Sequence, residues 1–140
     1  MFKTIFFDTN IIVDIFDDSR NSHPYSLKTH AYIIDQKINL YTSCDIITTI
    51  YYILSKRDKQ KALSQIEDIN QTLKVVEFAN KEVKLTCALM RKDSDYHDLE
   101  DTMQYILAQK MECDLIISND KNFTSKDIKI MSSEEFCSFL

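Results

Sequence analysis

The chain has 140 residues and a mass of 16.5 kDa, 44% hydrophobic and 28% charged, which suits one domain over residues 1–140 with one core. It contains no glycine, which excludes a P-loop, a GxGxxG dinucleotide fingerprint and a nucleophile elbow, because each needs backbone that only glycine allows. With 17 basic against 22 acidic residues the net charge is −5, so any contact with nucleic acid must rest on a local patch.

Residues 2–7 form a β-branched and aromatic run without a polar face, as in a strand buried on both sides. The run stops at Asp8-Thr9-Asn10, and residues 11–16 begin a helical pattern. Residues 17–22 read as a loop. Pro24 suits the first turn of a helix capped by Ser22 or His23, with Leu27, Ala31, Ile34 and Ile38 turned inward. Residues 38–42 read as a second strand, and Ser43 as the cap of a helix to about residue 56. A charged helix over 58–71 would bury Ala62, Leu63, Ile66 and Ile69. A third strand over 74–78, a helix over 81–91 and a loop over 92–96 follow. Leu99, Met103, Ile106 and Leu107 predict an amphipathic helix. Strands over 115–118 and 128–131 and a helix over 134–140 close the chain. The alternation predicts a three-layer α/β/α domain around a central, mostly parallel sheet of about five strands.

Asp8 ends the first strand, Asp120 follows the fourth, and Asp101 stands in the first turn of the amphipathic helix. Ligands of open parallel sheets bind beyond the carboxyl ends of the strands. If the first and fourth strands are neighbours, the three carboxylates converge and need a cation to relieve their repulsion. Oxygen ligands without His or Cys point to Mg²⁺ or Mn²⁺, ions that activate water and stabilise phosphoryl transition states. Taken singly, Asp8 also reads as a helix cap, Asp120 as a turn residue and Asp101 as a solvated helix acid.

Phe7-Asp8-Thr9-Asn10, the segment from Asp98 through Asp101 to Gln104, and Ser118-Asn119-Asp120 together resemble the PIN-domain pattern, in order along nearly the whole chain. Single-domain bacterial members are mostly VapC-type toxins. The resemblance implies an α/β/α metal-dependent endoribonuclease that cuts RNA, is inhibited by an antitoxin protein and often forms a homodimer. It makes Asp8, Asp101 and Asp120 the metal-binding acids, with Asn10 and Ser118 as polar supports. A Glu usual after the second strand is replaced here by Thr49, which carries no charge. Asp45 lies four residues earlier on the same helix face and could stand in for it, as could Asp98 or Asp14. Thr49 is also the feature favouring an alternative, a catalytically weakened PIN fold that only binds RNA or protein. An aspartyl-phosphate phosphatase would want an Asp where Asn10 stands, and a phospho-receiver would want a strand acid where Ala79-Asn80 stand.

The basic run Lys56, Arg57, Lys59 and Lys61 reads either as a solvated helix start or as an RNA-tracking patch. An antitoxin would meet the early helices near Phe16, Tyr25 and Tyr32. His23, His30 and His97 share no ligand spacing. The four cysteines show no zinc pattern and read as reduced, mostly buried thiols. An acid as early as Asp8 argues against a signal peptide, and no apolar run spans a membrane, so a cytoplasmic protein is expected.

Overall fold

The computed structural model describes residues 1–140. Its strands are β1 (Thr4–Phe7), β2 (Asn39–Ser43), β3 (Lys74–Val76), β4 (Leu115–Ile117) and β5 (Lys129–Met131). They pair in the order β3-β2-β1-β4-β5, every pair parallel. Parallel neighbours require long crossovers, which are supplied by α1 (Thr9–Phe16), α2 (His23–Asp35), α3 (Ile46–Ser55), α4 (Lys59–Thr72), α5 (Asn80–Lys92) and α6 (Leu99–Lys110). A short α7 (Ser133–Cys137) follows β5. The chain builds outward from β1 through β2 to β3, then crosses to the other side of β1 for β4. The order therefore reverses between β1 and β4, where a crevice opens beyond the strand ends.

Side chains alternate across the pleat. Ile5 and Phe7 of β1 join Leu40, Leu115 and Ile117 in the layer under α1, α2, α3 and α7. Phe6 joins Ile116, Met103 and Leu107 in the layer under α5 and α6. Both layers are apolar because each strand is covered on both faces.

Three helices sit differently from expectation. In α2, Ser26, Thr29 and Ile33 face inward, while Leu27 and Ile34, 44% and 38% exposed, face out with Ala31. The buried hydroxyls are satisfied: Ser26 Oγ lies 3.0 Å from Asp14 Oδ2, and Thr29 Oγ1 donates to the Ser133 carbonyl. A satisfied polar seam with α1 and α7 thus sets the helix phase, and counting apolar residues cannot detect it. In α4, Ala62 and Ile69 are buried but Leu63 is exposed. In α6 every residue from Thr102 to Ala108 is buried, whereas Leu99 is exposed. Tyr96 and Phe123, with half-buried Leu89 and Met90 of α5, pack in the same layer, so α6 is enclosed rather than amphipathic.

Without glycine, α2 and α6 end in Schellman turns whose left-handed residues are Lys37 (φ 56°) and Glu112 (φ 53°). Ile38 N–H reaches Ile33 O, and Cys113 N–H reaches Ala108 O. All four cysteines are unpaired. Only Cys113 is buried, and burial pushes its thiol up to about 12. Cys87 is exposed on the outer side of α5, contrary to the buried reading. No helix is long and apolar enough to cross a membrane.

Candidate active site

Because β1 and β4 are adjacent and in register, Phe7 opposite Ile117, the residues following them meet at the crevice. Asp8 caps α1 and is 4% exposed. Its Oδ1 accepts from Thr9 N at 2.7 Å and Gln104 Nε2 at 2.9 Å. Its Oδ2 accepts from Asn10 Nδ2 at 3.0 Å and Ser118 Oγ at 2.7 Å. Donors from α1, α6 and the end of β4 therefore fix one carboxylate. Ser118 Oγ also accepts from Asp120 N at 3.1 Å, which ties the second acid to the first.

Asp120 is half-buried, and its Oδ1 turns the chain by accepting from Asn122 N at 2.9 Å. Asp98 caps α6 by accepting from Asp101 N at 2.9 Å. Asp101 is thereby held in the first turn, half-buried, and its own carboxylate accepts no hydrogen bond. Burial raises the Asp101 carboxyl to about 7, helped by the charges of Asp8, Asp98, Asp120 and Glu100. Burial also raises Asp8, against the hydrogen bonds of Ser118, Gln104 and Thr9.

Glu100 and Asp45 extend the cluster. Thr9 Oγ1 donates to Glu100 Oε1 at 3.2 Å, and Glu100 is raised by burial and by the charges of Asp45, Asp8 and Asp98. Asp45 stands at the start of α3 and takes a hydrogen bond from Ser43 Oγ. No Lys, Arg or His forms an ion pair with Asp8, Asp45, Asp98, Glu100, Asp101 or Asp120. Six uncompensated carboxylates suit a cation with oxygen ligands. As placed, no three of them stand close enough together to hold one ion, so an ion here would take one or two carboxylates, with waters and substrate oxygens completing its shell.

Other expected residues take no part in these contacts. Thr49 is exposed on α3, one turn beyond Asp45. Asp14 does not join the cluster: it is 2% exposed and bound to Arg20 Nε at 2.6 Å, Ser26 Oγ at 3.0 Å and Asn119 Nδ2 at 2.8 Å. The basic run sits at the far end of α3, roughly 15 Å along a ten-residue helix from the acids. There Arg57 pairs with Asp17 and Asp18, Lys56 stacks over Tyr52, and Lys59 opens α4. The protomer does not bring these cations to the acids. His23 lies 2.7 Å from the Asp14 carbonyl, His30 lies 3.2 Å from Thr72 Oγ1, and His97 is exposed.

Four residues were missed as parts of this region. The acidic run Asp98 to Asp101 contained the signal for Glu100. Gln104 lay in a quoted motif, but its contact with Asp8 spans 96 residues. Asn119 also lay in one of those motifs, but its contact with Asp14 spans 105 residues, and Arg20 carried no local signal.

Asp101 makes stability depend on pH. Its folded pKa, about 7, lies above the ordinary 3.8, so its contribution is present below about pH 4 and lost as pH rises through 7. Without metal, the protein is expected to melt at a lower temperature at pH 8.5 than at pH 6.5. His30, lowered by burial, works the other way near the lower end of this range, because its unfolded imidazole gives up a proton as pH rises through about 6.5. Mn²⁺ is expected to restore the loss at pH 8.5, where the carboxylates are charged. Melting curves in EDTA that coincide at both pH values would contradict this account.

A PIN domain family model matches residues 4–122. Over 135 residues the chain is 49% identical to Ribonuclease VapC1 of Aquifex aeolicus, covering 96% of this chain and 94% of that one. VapC20 of Mycobacterium tuberculosis, described as a sarcin–ricin loop cleaving toxin, matches with TM-score 0.69 and 16% identity over 86% of this chain and 92% of its own. VapBC2 from Rickettsia felis, solved with a DNA fragment from its promoter, matches with TM-score 0.69 and 16% identity over 92% and 98%. At 16% identity these last two show likeness of fold.

Proposed function

The chain belongs to the PIN-domain family, and from that premise we propose that it is the toxin endoribonuclease of a toxin–antitoxin pair, hydrolysing RNA phosphodiesters at Asp8, Asp101 and Asp120 with bound Mg²⁺. The observation that carries this reading is the meeting of acids from β1, α6 and β4 at one crevice with no basic partner. A divalent ion bound there supplies Lewis acidity toward water and neutralises charge on the phosphate. Asp8, held by four donors, positions a fixed negative charge. Asp101, with no donor on its carboxylate, is the acid free to face the ion. Asp120, tied to Asp8 through Ser118 Oγ, would add a third carboxylate, and Asn10 and Ser118 keep Asp8 oriented. Mn²⁺ suits the same oxygen donors. A cognate antitoxin and a second copy of the chain are the partners this reading carries, in the cytoplasm. Incubation of purified protein with a structured RNA pool in Mg²⁺, Mn²⁺ or EDTA tests it: cuts are expected with either metal and none in EDTA.

Thr49 favours a second reading, a weakened fold that binds RNA or protein without cutting. The two separate on Thr49→Glu. If a charge is missing at this position, the variant is expected to bind Mn²⁺ roughly tenfold more tightly by calorimetry, about one pKa unit's worth of interaction. Unchanged metal affinity would mean that Asp45 and Glu100 already supply that charge.

A further inference from the structure

Beside the acids lies an open cleft of about 490 Å³ lined without any hydrophobic residue, by Asn10, Asp14, Ser19, Arg20, Asn21 and Asn119 among others. Its wall is continuous with the active site. Asn10 donates to Asp8 Oδ2 at 3.0 Å, accepts from Asn119 N at 3.2 Å, and Asn119 directly precedes Asp120.

Arg20 is the cleft's cation, and it is built in. Its Nε meets Asp14 Oδ1 at 2.6 Å, and Asp14 is buried and held from behind by Ser26 and Asn119. Only the Nε edge is used: no hydrogen bond or ion pair engages the two Nη groups, and the side chain is 40% exposed. A guanidinium clamped on one edge by a buried carboxylate presents its other donors with little further entropy loss, the geometry suited to a phosphate. The need is electrostatic. A polyanion approaching a chain of net charge −5 past six unpaired acids needs a cation beside the crevice. The basic run on α3 lies at the other end of that helix.

Resting on the ribonuclease reading, we propose that the Arg20 cleft is a phosphate-binding subsite that holds the RNA backbone next to the bond being cut. Asn21 and the second Nδ2 hydrogen of Asn10 add neutral donors around that phosphate, whereas the Ser19 hydroxyl is spent on Asp17.

The test uses the full chain with Mg²⁺ and a short, fluorescein-labelled single-stranded RNA. Binding is measured by anisotropy in the cleavage-blocked Asp8→Asn background, and steady-state kinetics in the otherwise unmodified protein. Adding Arg20→Gln is expected to weaken binding roughly tenfold at low salt and to lower the slope of log K against log salt by roughly 0.7, one single-strand phosphate. KM rises and kcat is retained. Asn21→Asp, at an exposed position that leaves the Arg20–Asp14 pair intact, is expected to weaken binding as well, and it decides the question if Arg20→Gln does not fold. Lys84→Ala removes the same charge from the exposed side of α5 and is expected to change neither quantity. RNA binding by the parent that is untouched by both cleft variants, or lowered equally by Lys84→Ala, overturns the subsite while leaving the ribonuclease reading intact. A parent that neither binds nor cuts RNA overturns both.

Discussion

Asp8→Asn is expected to lower metal-dependent RNA cleavage by at least about 100-fold, close to 2.7 kcal/mol of transition-state stabilisation, while the protein stays folded. The two effects separate for a physical reason. Asp8 is 4% exposed and its carboxyl is raised by burial and by Asp120, so the folded state tolerates its charge rather than gaining from it. Asparagine keeps the shape and one acceptor oxygen, which still takes hydrogen bonds from Thr9 N and Gln104 Nε2. Ser118 Oγ can rotate to accept from the new amide, while Asn10 Nδ2, which donates to Oδ2, is left facing a second donor, a loss of about 1 kcal/mol that the fold survives. Removing the charge also removes a repulsion on Asp101, whose carboxyl is then expected to titrate below its present value of about 7. The cation loses a fixed anionic neighbour, and the affinity for Mn²⁺ falls with the rate. Cleavage assays beside melting curves in EDTA make the comparison. A variant that cuts RNA at the parental rate would remove Asp8 from the mechanism, and one that unfolds would show that its role is structural.

Asn119→Ala is expected to give the largest loss of stability among the polar substitutions, about 3 kcal/mol. Its side chain joins four parts of the molecule. Oδ1 accepts from Ser133 N at 2.9 Å and lies 3.1 Å from Ser133 Oγ in α7, and Nδ2 donates to Asp14 Oδ2 of α1 at 2.8 Å. Ser26 of α2 lies within reach of Nδ2, and Asn119 itself follows β4. Truncation leaves a buried backbone N–H and a buried carboxylate each short of a partner, and such orphaned groups cost about 1–3 kcal/mol apiece. For a chain of this length the change corresponds to a fall in Tm of roughly 6–12 °C. Cleavage is expected to fall as well, because Asp120 is the next residue and Arg20 shares Asp14 as its anchor. Denaturant unfolding measures the first effect. A change under 1 kcal/mol would mean that water replaces the amide and that the junction is not a unit.

The order of strands and helices was readable because it is written in short stretches. A short β-branched and aromatic run bounded by polar residues suits a buried strand, and an acid that ends it is visible where it stands. Asp8, Asp101 and Asp120 were found this way, from position at strand ends and a helix start, with the motif spacing adding the family. What stayed hidden depends on contacts across long separations. Asp8 meets Ser118 over 110 residues and Gln104 over 96, and no local pattern encodes a pairing of that range. The inward phase of α2 was misread because Ser26 and Thr29 are buried only by virtue of partners on α1 and α7. Arg20 reads as a loop residue until Asp14 is seen to be buried beneath it. Local propensity therefore settled the elements and placed the acids on them. The crossover that sets β4 beside β1 made those acids into a site, because only packing decides which distant side chains must share a desolvated space.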